Sequence, residues 1–521
     1  MRTTLLPLAT STEFGTRRSI AVLLLILLAV GLCSVLNAVA KPFWYDEICT
    51  VILCRLPGAS EIWKALDNAA DTNPPVYYLV ARLTRQLVSD DHLGYRLPSI
   101  LGLLGIVFCI YVILSRRVNH LSALVGATFV LCTPVAAYAY EARPYALLLG
   151  CISAAILAWQ RIDESKLYSL VVAVTLAAAV SLHYYAILVW PALFMAEASL
   201  WIFHSRFRVS ACAALLAGAL PLLFFAPLLL RLRQYYGQNF WAHPTIKQAF
   251  IAHDWLFNFG GNWGSTFAAV ITVIFLYFAI TKTARSGWSG HRQAEVKVLP
   301  IEEQTLTLML LWLPLIAVAA AKVSHIGLTE RYMLSTVLGG ALALGYVIDT
   351  VPSAGKVLLL ILFLMNYASA SVGVGRNLLK GSLLETRAAA TREVKAIAAQ
   401  HDDSALPIVI SDGLRYLPMA YYTPADSNGK LYAIADPRAA VTSTDMKSDS
   451  LDLALLVLRR YFPLQVEDYV GFVSRHREFL LVLGGGGFDW WPARLAHDRC
   501  TLRLVSAGRG TTVYKVTVRP D

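Results

Sequence analysis

Charge is scarce in this chain. Of its 521 residues, 45 are Lys or Arg and 34 are Asp or Glu, 15% in all, where a soluble globular protein carries about 25%. With the repeated apolar runs and a mean hydropathy of +0.56, that shortage excludes a soluble enzyme. Cysteine is sparse as well, at eight residues, and no CxxC or Cys/His metal spacing occurs. Cys33, Cys109, Cys132, Cys151 and Cys212 lie in or near apolar runs, where cysteine behaves as a small hydrophobe. Cys49 and Cys54 are placed to pair outside a membrane, although so short a loop opposes disulfide geometry. Internal repeats are lacking. Gly484-Gly-Gly-Gly487 lacks the Lys-Ser/Thr that would make it a phosphate loop, and reads as a flexible turn.

What is present is apolar length. The runs predict about eleven spans by the roughly 20-residue requirement of a bilayer. They lie near 20–40, 97–114, 120–138, 144–160, 167–182, 186–203, 209–230, 266–281, 305–321, 332–349 and 356–374. Arg17 and Arg18 precede the first run as in a signal peptide, but no small-residue cleavage site follows, so an uncleaved span is expected. The net charge of +11 does not point to nucleic acid, because the basic residues collect in short segments between runs, as in cytoplasmic loops. With Arg17 and Arg18 cytoplasmic, alternate loops hold Arg116-Arg117, Arg161 with Lys166, Arg206 with Arg208, the 282–304 connection with Lys282, Arg285, Arg292 and Lys297, and Lys356. The opposite loops, 41–96, 141–145, 231–265 and 324–332, are longer or carry acids beside aromatics. An odd number of spans leaves the C-terminal segment outside the cytoplasm.

The expected fold is a polytopic α-helical membrane protein with a C-terminal extracytoplasmic α/β domain. Residues 1–375 form the membrane domain, including the 41–96 extracytoplasmic loop, and residues 376–521 the α/β domain. Within the loop, 59–70 reads as a helix capped by Ser60, stopped by Asn73-Pro-Pro75, and 76–87 as a second amphipathic helix. Both are expected to lie along the membrane surface and roof a cleft. In the α/β domain, 406–410, 453–458 and 479–483 suit buried strands, and 385–400, 413–422 and 465–475 suit helices.

Chemistry gathers on the outer side. Lys41-Pro-Phe-Trp-Tyr-Asp-Glu-Ile48 places Asp46 and Glu47 where the first span meets water, and acids at that depth are costly unless solvated, paired or used. Either the pair marks a span end, or it supplies a base for an acceptor hydroxyl. Tyr138-Ala-Tyr-Glu-Ala-Arg-Pro-Tyr145 is a turn with an internal Glu141–Arg143 pair, or it sets Glu141 in the same cleft and Arg143 against a phosphate. Arg96 either snorkels to the interface or joins the cleft. Arg331, in Thr329-Glu-Arg-Tyr332, is a candidate clamp for a lipid-linked phosphate. His183, in His183-Tyr-Tyr185, is a structural histidine, or a ligand to a divalent metal ion if it approaches Asp46 or Glu141.

Taken in order, Trp44-Tyr-Asp-Glu47, Asn73-Pro-Pro-Val-Tyr-Tyr78, Arg96-Leu-Pro-Ser99, Glu141-Ala-Arg-Pro-Tyr145 and Glu330-Arg-Tyr332 resemble the GT-C glycosyltransferases of the protein O-mannosyltransferase and aminoarabinose transferase superfamily. The resemblance covers roughly residues 20–375 and implies inverting transfer of a sugar from a polyprenyl-phosphate donor to an acceptor outside the cytoplasm. It implies Asp46 as the catalytic carboxylate; Glu47 is the second catalytic candidate, read as assisting, binding metal or only orienting the loop. Arg96, Glu141, Arg143, Tyr145, Arg331 and Tyr332 are the expected substrate and phosphate ligands. A divalent metal is the one cofactor in question, with Asp46, Glu141 and His183 as its candidate ligands. The expected partners are that donor, a glycolipid, glycan or protein acceptor, and the bilayer, without nucleic acid. The expected location is a bacterial inner (plasma) membrane. A transporter or flippase of a lipid-linked glycan is the rival reading. Transporters carry charge inside their spans, whereas here Glu197 is the main such residue, expected to be solvated near a cytoplasmic end.

Overall fold

A computed structural model describes residues 11–237, 239–242, 244–257, 263–288, 299–351, 357, 406–423, 430–484, 487–508 and 511–519. Among the described residues, four helices are long and apolar enough to cross a membrane: Arg17–Ala40, Asp91–Ser115, Tyr184–His204 and Val209–Tyr236. Two bent pairs raise the number to six, His120–Cys132 with Pro134–Tyr140 at 67° and Ile301–Leu311 with Leu313–Ser324 at 64°. Pro134 and Pro314 stand at the breaks, each removing a backbone donor. The shorter apolar helices Tyr145–Trp159, Lys166–Leu182, Gly264–Ala279 and Thr336–Thr350 fall on four further expected spans. Among the described residues, length and composition alone thus count four to six spans; the run at 356–374 lies outside the described residues but for Val357.

Two local devices set the frame of the site. A Cβ on Gly102 would stand 2.4 Å from the Ala146 carbonyl, so the absence of a side chain lets helix Asp91–Ser115 close on helix Tyr145–Trp159. Pro98, inside the first of these, cannot bond the Gly94 carbonyl, which instead accepts from Thr84 Oγ1 at 2.8 Å. The loop helices form at Ala59–Asp67 and Val76–Leu87. The N-cap of the first is Gly58, not Ser60, whose hydroxyl turns to Glu61. Tyr77 and Tyr78 are fully buried. Cys49 and Cys54 are free, and Cys54 Sγ meets the Tyr78 carbonyl at 3.3 Å. Glu197 is not solvated: it is buried, bonded to Arg208 at 2.6 and 3.0 Å and to Trp159 Nε1 at 2.5 Å.

The C-terminal part is a six-stranded sheet in the order β3-β2-β1-β4-β6-β5. Its strands are β1 (Ile408–Ile410), β2 (Leu431–Ala435), β3 (Gln465–Asp468), β4 (Glu478–Leu483), β5 (Thr501–Gly508) and β6 (Thr511–Thr517). The first four are parallel and β6 runs antiparallel to both β4 and β5. Helices Gly413–Tyr422, Pro437–Ser443, Ser450–Leu458, Tyr469–Arg475 and Trp491–His497 accompany it. Val409, Phe472, Phe479, Leu481, Trp490 and Trp491 pack as its core. The run 453–458 is helix, not strand: a short apolar run does not distinguish the two, and Leu451, Leu455 and Leu458 share a helical face. Residues 465–475 divide into β3 and a helix. The helix expected at 385–400 and the domain boundary at 375/376 lie outside the described residues, as do Gly485 and Gly486 of the glycine turn.

This domain touches the membrane part through one tyrosine in particular. Tyr422 Oη accepts the Phe43 N–H at 2.6 Å and lies 3.0 Å from His92 Nε2. The His92 ring stacks on Phe43 at 4.1 Å.

Candidate active site

Helix Tyr45–Cys54 starts directly after the Lys41–Trp44 turn, with Asp46 and Glu47 in its first turn. Successive helical residues point about 100° apart, so the two acids diverge. The Asp46 carboxylate is 17% exposed and accepts from Arg331 Nη1 at 2.6 Å.

Glu47 faces the interior, fully buried with Arg96. The pair is bidentate, with Nε to Oε1 and Nη2 to Oε2 both 2.7 Å. Glu47 also accepts from Ala142 N at 2.6 Å and Trp44 N at 3.3 Å. The rest of the Arg96 guanidinium donates to the carbonyls of Ala38, Lys41 and Pro42 at 2.6, 2.7 and 3.1 Å. The Ala38 carbonyl would ordinarily bond the amide four residues on, but that residue is Pro42, and Arg96 takes its place. Glu47 and Arg96 therefore join three chain segments instead of meeting a substrate.

Arg143 is buried and donates through Nη1 to Asp71 Oδ2 at 2.8 Å, the Asp46 carbonyl at 3.2 Å and Thr50 Oγ1 at 3.3 Å. Glu141 turns from Arg143 to Lys41, at 2.8 Å, and burial raises its carboxyl above the usual range despite that lysine. Tyr145 and Tyr138 pack ring to ring at 4.8 Å, and Tyr332 stacks on Tyr185 at 4.2 Å. His183 lies among Tyr145, Tyr185 and Tyr332, with Nδ1 accepting from Tyr185 N at 3.2 Å. Burial, with Arg143 and Arg331 nearby, pushes its pKa down to about 3, so the ring is neutral.

A cavity of about 450 Å³ opens over these groups. Asp46, Arg143, Arg331 and Tyr332 line it, as do Trp44, Tyr45, Asp71 and Thr329. Glu47, Arg96, Glu141, Tyr145 and His183 are not among its lining residues. Four lining residues carry a buried polar atom without a partner: Trp44 Nε1, Tyr45 Oη, Arg143 Nε and Thr329 Oγ1. Buried polar atoms of this kind call for a partner such as water or a ligand. A smaller cavity of about 190 Å³ lies elsewhere, beside Arg117, whose guanidinium is held by Glu303. It contains none of the expected site residues.

The residues do not fit the expected metal. Among the described residues no group of three or more His, Cys, Asp or Glu side chains is gathered to hold one. Of the three candidates, Asp46 is bound to Arg331, Glu141 to Lys41, and His183 is packed among rings. The sequence reading missed Asp71 and Lys41. Asp71 stands two residues before the Asn73-Pro-Pro75 stop, and Lys41 opens the stretch that carries Asp46; nothing in either position alone names its partner.

Residues 72–230 match the family model of dolichyl-phosphate-mannose-protein mannosyltransferase. No curated protein matches the chain. Among solved structures, ArnT from Cupriavidus metallidurans bound to undecaprenyl phosphate superposes with a TM-score of 0.51 at 12% identity, over 95% of this chain and 97% of that one. Its apo form gives a TM-score of 0.46 at 12% identity, over 94% and 97%. The Archaeoglobus fulgidus oligosaccharyltransferase in complex with Zn and sulfate gives 0.41 at 10% identity, over 94% and 72%. The likeness to ArnT is one of fold, and the apolar helices among the described residues make this an integral membrane protein.

Proposed function

We propose that this GT-C-fold protein moves a sugar from a polyprenyl-phosphate donor to a hydroxyl of an acceptor outside the cytoplasm, with inversion. The observation that carries the reading is a carboxylate and a guanidinium, Asp46 and Arg331, 2.6 Å apart on the wall of one cavity. A base and a phosphate clamp must be neighbours if one takes the acceptor proton while the other steadies the leaving group. The ArnT structure bound to undecaprenyl phosphate supports the choice of donor class.

In the proposed reaction the donor phosphate displaces Asp46 from Arg331 and takes its planar N–H donors. The freed Asp46 carboxylate removes the acceptor's hydroxyl proton as that oxygen attacks the anomeric carbon. The bond from that carbon to the phosphate oxygen breaks, and its electron pair leaves on the polyprenyl phosphate. Attack from the opposite face inverts the centre. Arg143, braced by Asp71, holds the Asp46 carbonyl and so fixes the first helical turn. Glu47 and Arg96 hold that turn from behind. No step runs through a metal.

The alternation of basic loops supports an active side and a C-terminal domain outside the cytoplasm, and the setting proposed is a bacterial inner membrane. The test is Asp46→Asn in cells, with envelope glycolipids and glycoproteins profiled. Loss of a general base predicts a rate loss of roughly 10²–10⁴-fold and disappearance of one product. An unchanged profile, with the variant stably expressed, overturns the transferase reading and favours transport.

A further inference from the structure

The cavity is built by two parts of the chain, and they differ chemically. Its membrane-side wall holds both lining cations, Arg143 and Arg331, and all four orphaned polar atoms. Its other wall belongs to the α/β domain: Leu414, Met446, Ser450, Leu451, Ala454 and Phe488. That wall carries no charge.

Sheet topology reaches the same place independently. The chain lays down β1, β2 and β3 outward to one edge, then crosses back to put β4 on the far side of β1. The strand order therefore reverses between β1 and β4, and open parallel sheets bind ligands in the crevice at the carboxyl ends of their strands at such a point. Here the two ends are tied together: Gly484 N donates to Ser411 Oγ at 3.0 Å, and Ser411 Oγ donates to Asp489 Oδ2 at 2.8 Å. Leu414 follows β1 by four residues and Phe488 follows β4 by five. The switch-point crevice thus opens into the cavity that holds Asp46. Trp241 and Trp255 also line that cavity, and Leu414, Met446 and Trp255 are exposed apolar side chains of its lining.

Resting on the transferase reading above, we propose that this crevice seats the acceptor, and that the acceptor presents a neutral sugar there. A sugar ring offers apolar C–H faces to aromatic and aliphatic side chains, and hydroxyls to Asp46 and Ser450. An anionic acceptor would find no cation on this wall, since both lining cations lie on the donor side. Acceptor choice then resides in the α/β domain and donor choice in the membrane domain.

The experiment uses the full chain in lipid nanodiscs with mannotriose, chitotriose, a Ser/Thr-rich peptide and undecaprenyl phosphate as separate probes. Binding is read by saturation-transfer NMR and tryptophan fluorescence. The expected result is that a neutral oligosaccharide binds and that Phe488→Ala weakens it about ten- to hundredfold, as loss of one buried aromatic face implies. Undecaprenyl phosphate binding should be unchanged in Phe488→Ala and weakened roughly ten- to hundredfold in Arg331→Ala. Any of these results overturns the proposal: neither oligosaccharide binding, oligosaccharide binding indifferent to Phe488→Ala and Leu451→Ala alike, or the peptide binding instead in a Phe488-dependent way. A loss of undecaprenyl phosphate in Phe488→Ala would give the wall to the donor chain and also overturn it. The Asp46→Asn profile is judged separately, so the transferase reading and the acceptor site fail by different measurements.

Discussion

Replacing Glu47 by Gln removes a charge from a site with no exposure to solvent and leaves the guanidinium of Arg96 buried and uncompensated. Breaking one member of a buried pair costs about 3–5 kcal/mol, a large share of the roughly 5–15 kcal/mol that holds a domain folded. Arg96→Leu should cost as much, by stranding the carboxylate. The informative variant is Glu47→Leu with Arg96→Leu. An ion pair that only balances its own charges can be exchanged for apolar residues at little cost. Here the exchange also strips the Ala142 amide of its acceptor, and the Ala38, Lys41 and Pro42 carbonyls of a donor. Each stranded group costs roughly 1–3 kcal/mol. The double variant should therefore remain at least about 2 kcal/mol below the parent. Thermal and urea unfolding in detergent, followed by circular dichroism, measures this. A double variant within about 0.5 kcal/mol of the parent, the range of a neutral surface change, would refute the joint described for these segments.

Three further outcomes are expected. Arg331→Ala should weaken undecaprenyl phosphate binding roughly ten- to hundredfold, the worth of one or two charge-assisted bonds; Arg331→Lys should recover part of it, and equal binding by all three proteins would remove Arg331 from the donor site. Tyr422→Phe deprives the Phe43 amide of its acceptor, so hydrogen exchange at Phe43 should speed up and turnover should fall with donor binding unchanged; a Phe43 amide as protected as before would show that the α/β domain does not hold the turn before Asp46. Burial pushes Asp452 from 3.8 up to about 7, against hydrogen bonds from Asp436 N and Trp490 Nε1. Between those values the folded protein keeps a proton that the unfolded chain has lost, so stability should fall as pH rises through this window and level off above it. Asp452→Asn should flatten that slope, worth at most roughly 4 kcal/mol; an unaltered pH profile of unfolding would sink the assignment.

Much of the membrane fold was legible because apolar length is a local property. Each of the ten runs before 356 meets an apolar helix. The side of the membrane was read from loop charge, and that reading drew Asp46, Arg143 and Arg331 together, as the cavity does. Direction within a helix was not legible. Asp46 and Glu47 are neighbours of like charge, and without a helix start their opposite roles do not follow. Glu197 was assigned to water from its depth, yet its partners Arg208 and Trp159 come from two other segments. In the α/β domain the run 453–458 fitted either period, and β2, β5 and β6 were not singled out.

The prolines show why partners escape a local reading while positions do not. Pro42 and Pro98 each announce that a carbonyl four residues earlier lacks its helical donor. That much is written at those two positions. Which group answers is decided by packing: Thr84, from the preceding helix, reaches Gly94, and Arg96, 58 positions away, reaches Ala38. The second answer has a functional consequence. A guanidinium drawn into the core to satisfy a carbonyl at the end of the first span requires a carboxylate beside it, and Glu47 is that carboxylate. With Glu47 committed inward, Asp46 is the member of the pair left to face the cavity. The residue expected to act on substrate and the residue expected to assist it are thus separated by a backbone requirement that Pro42 creates.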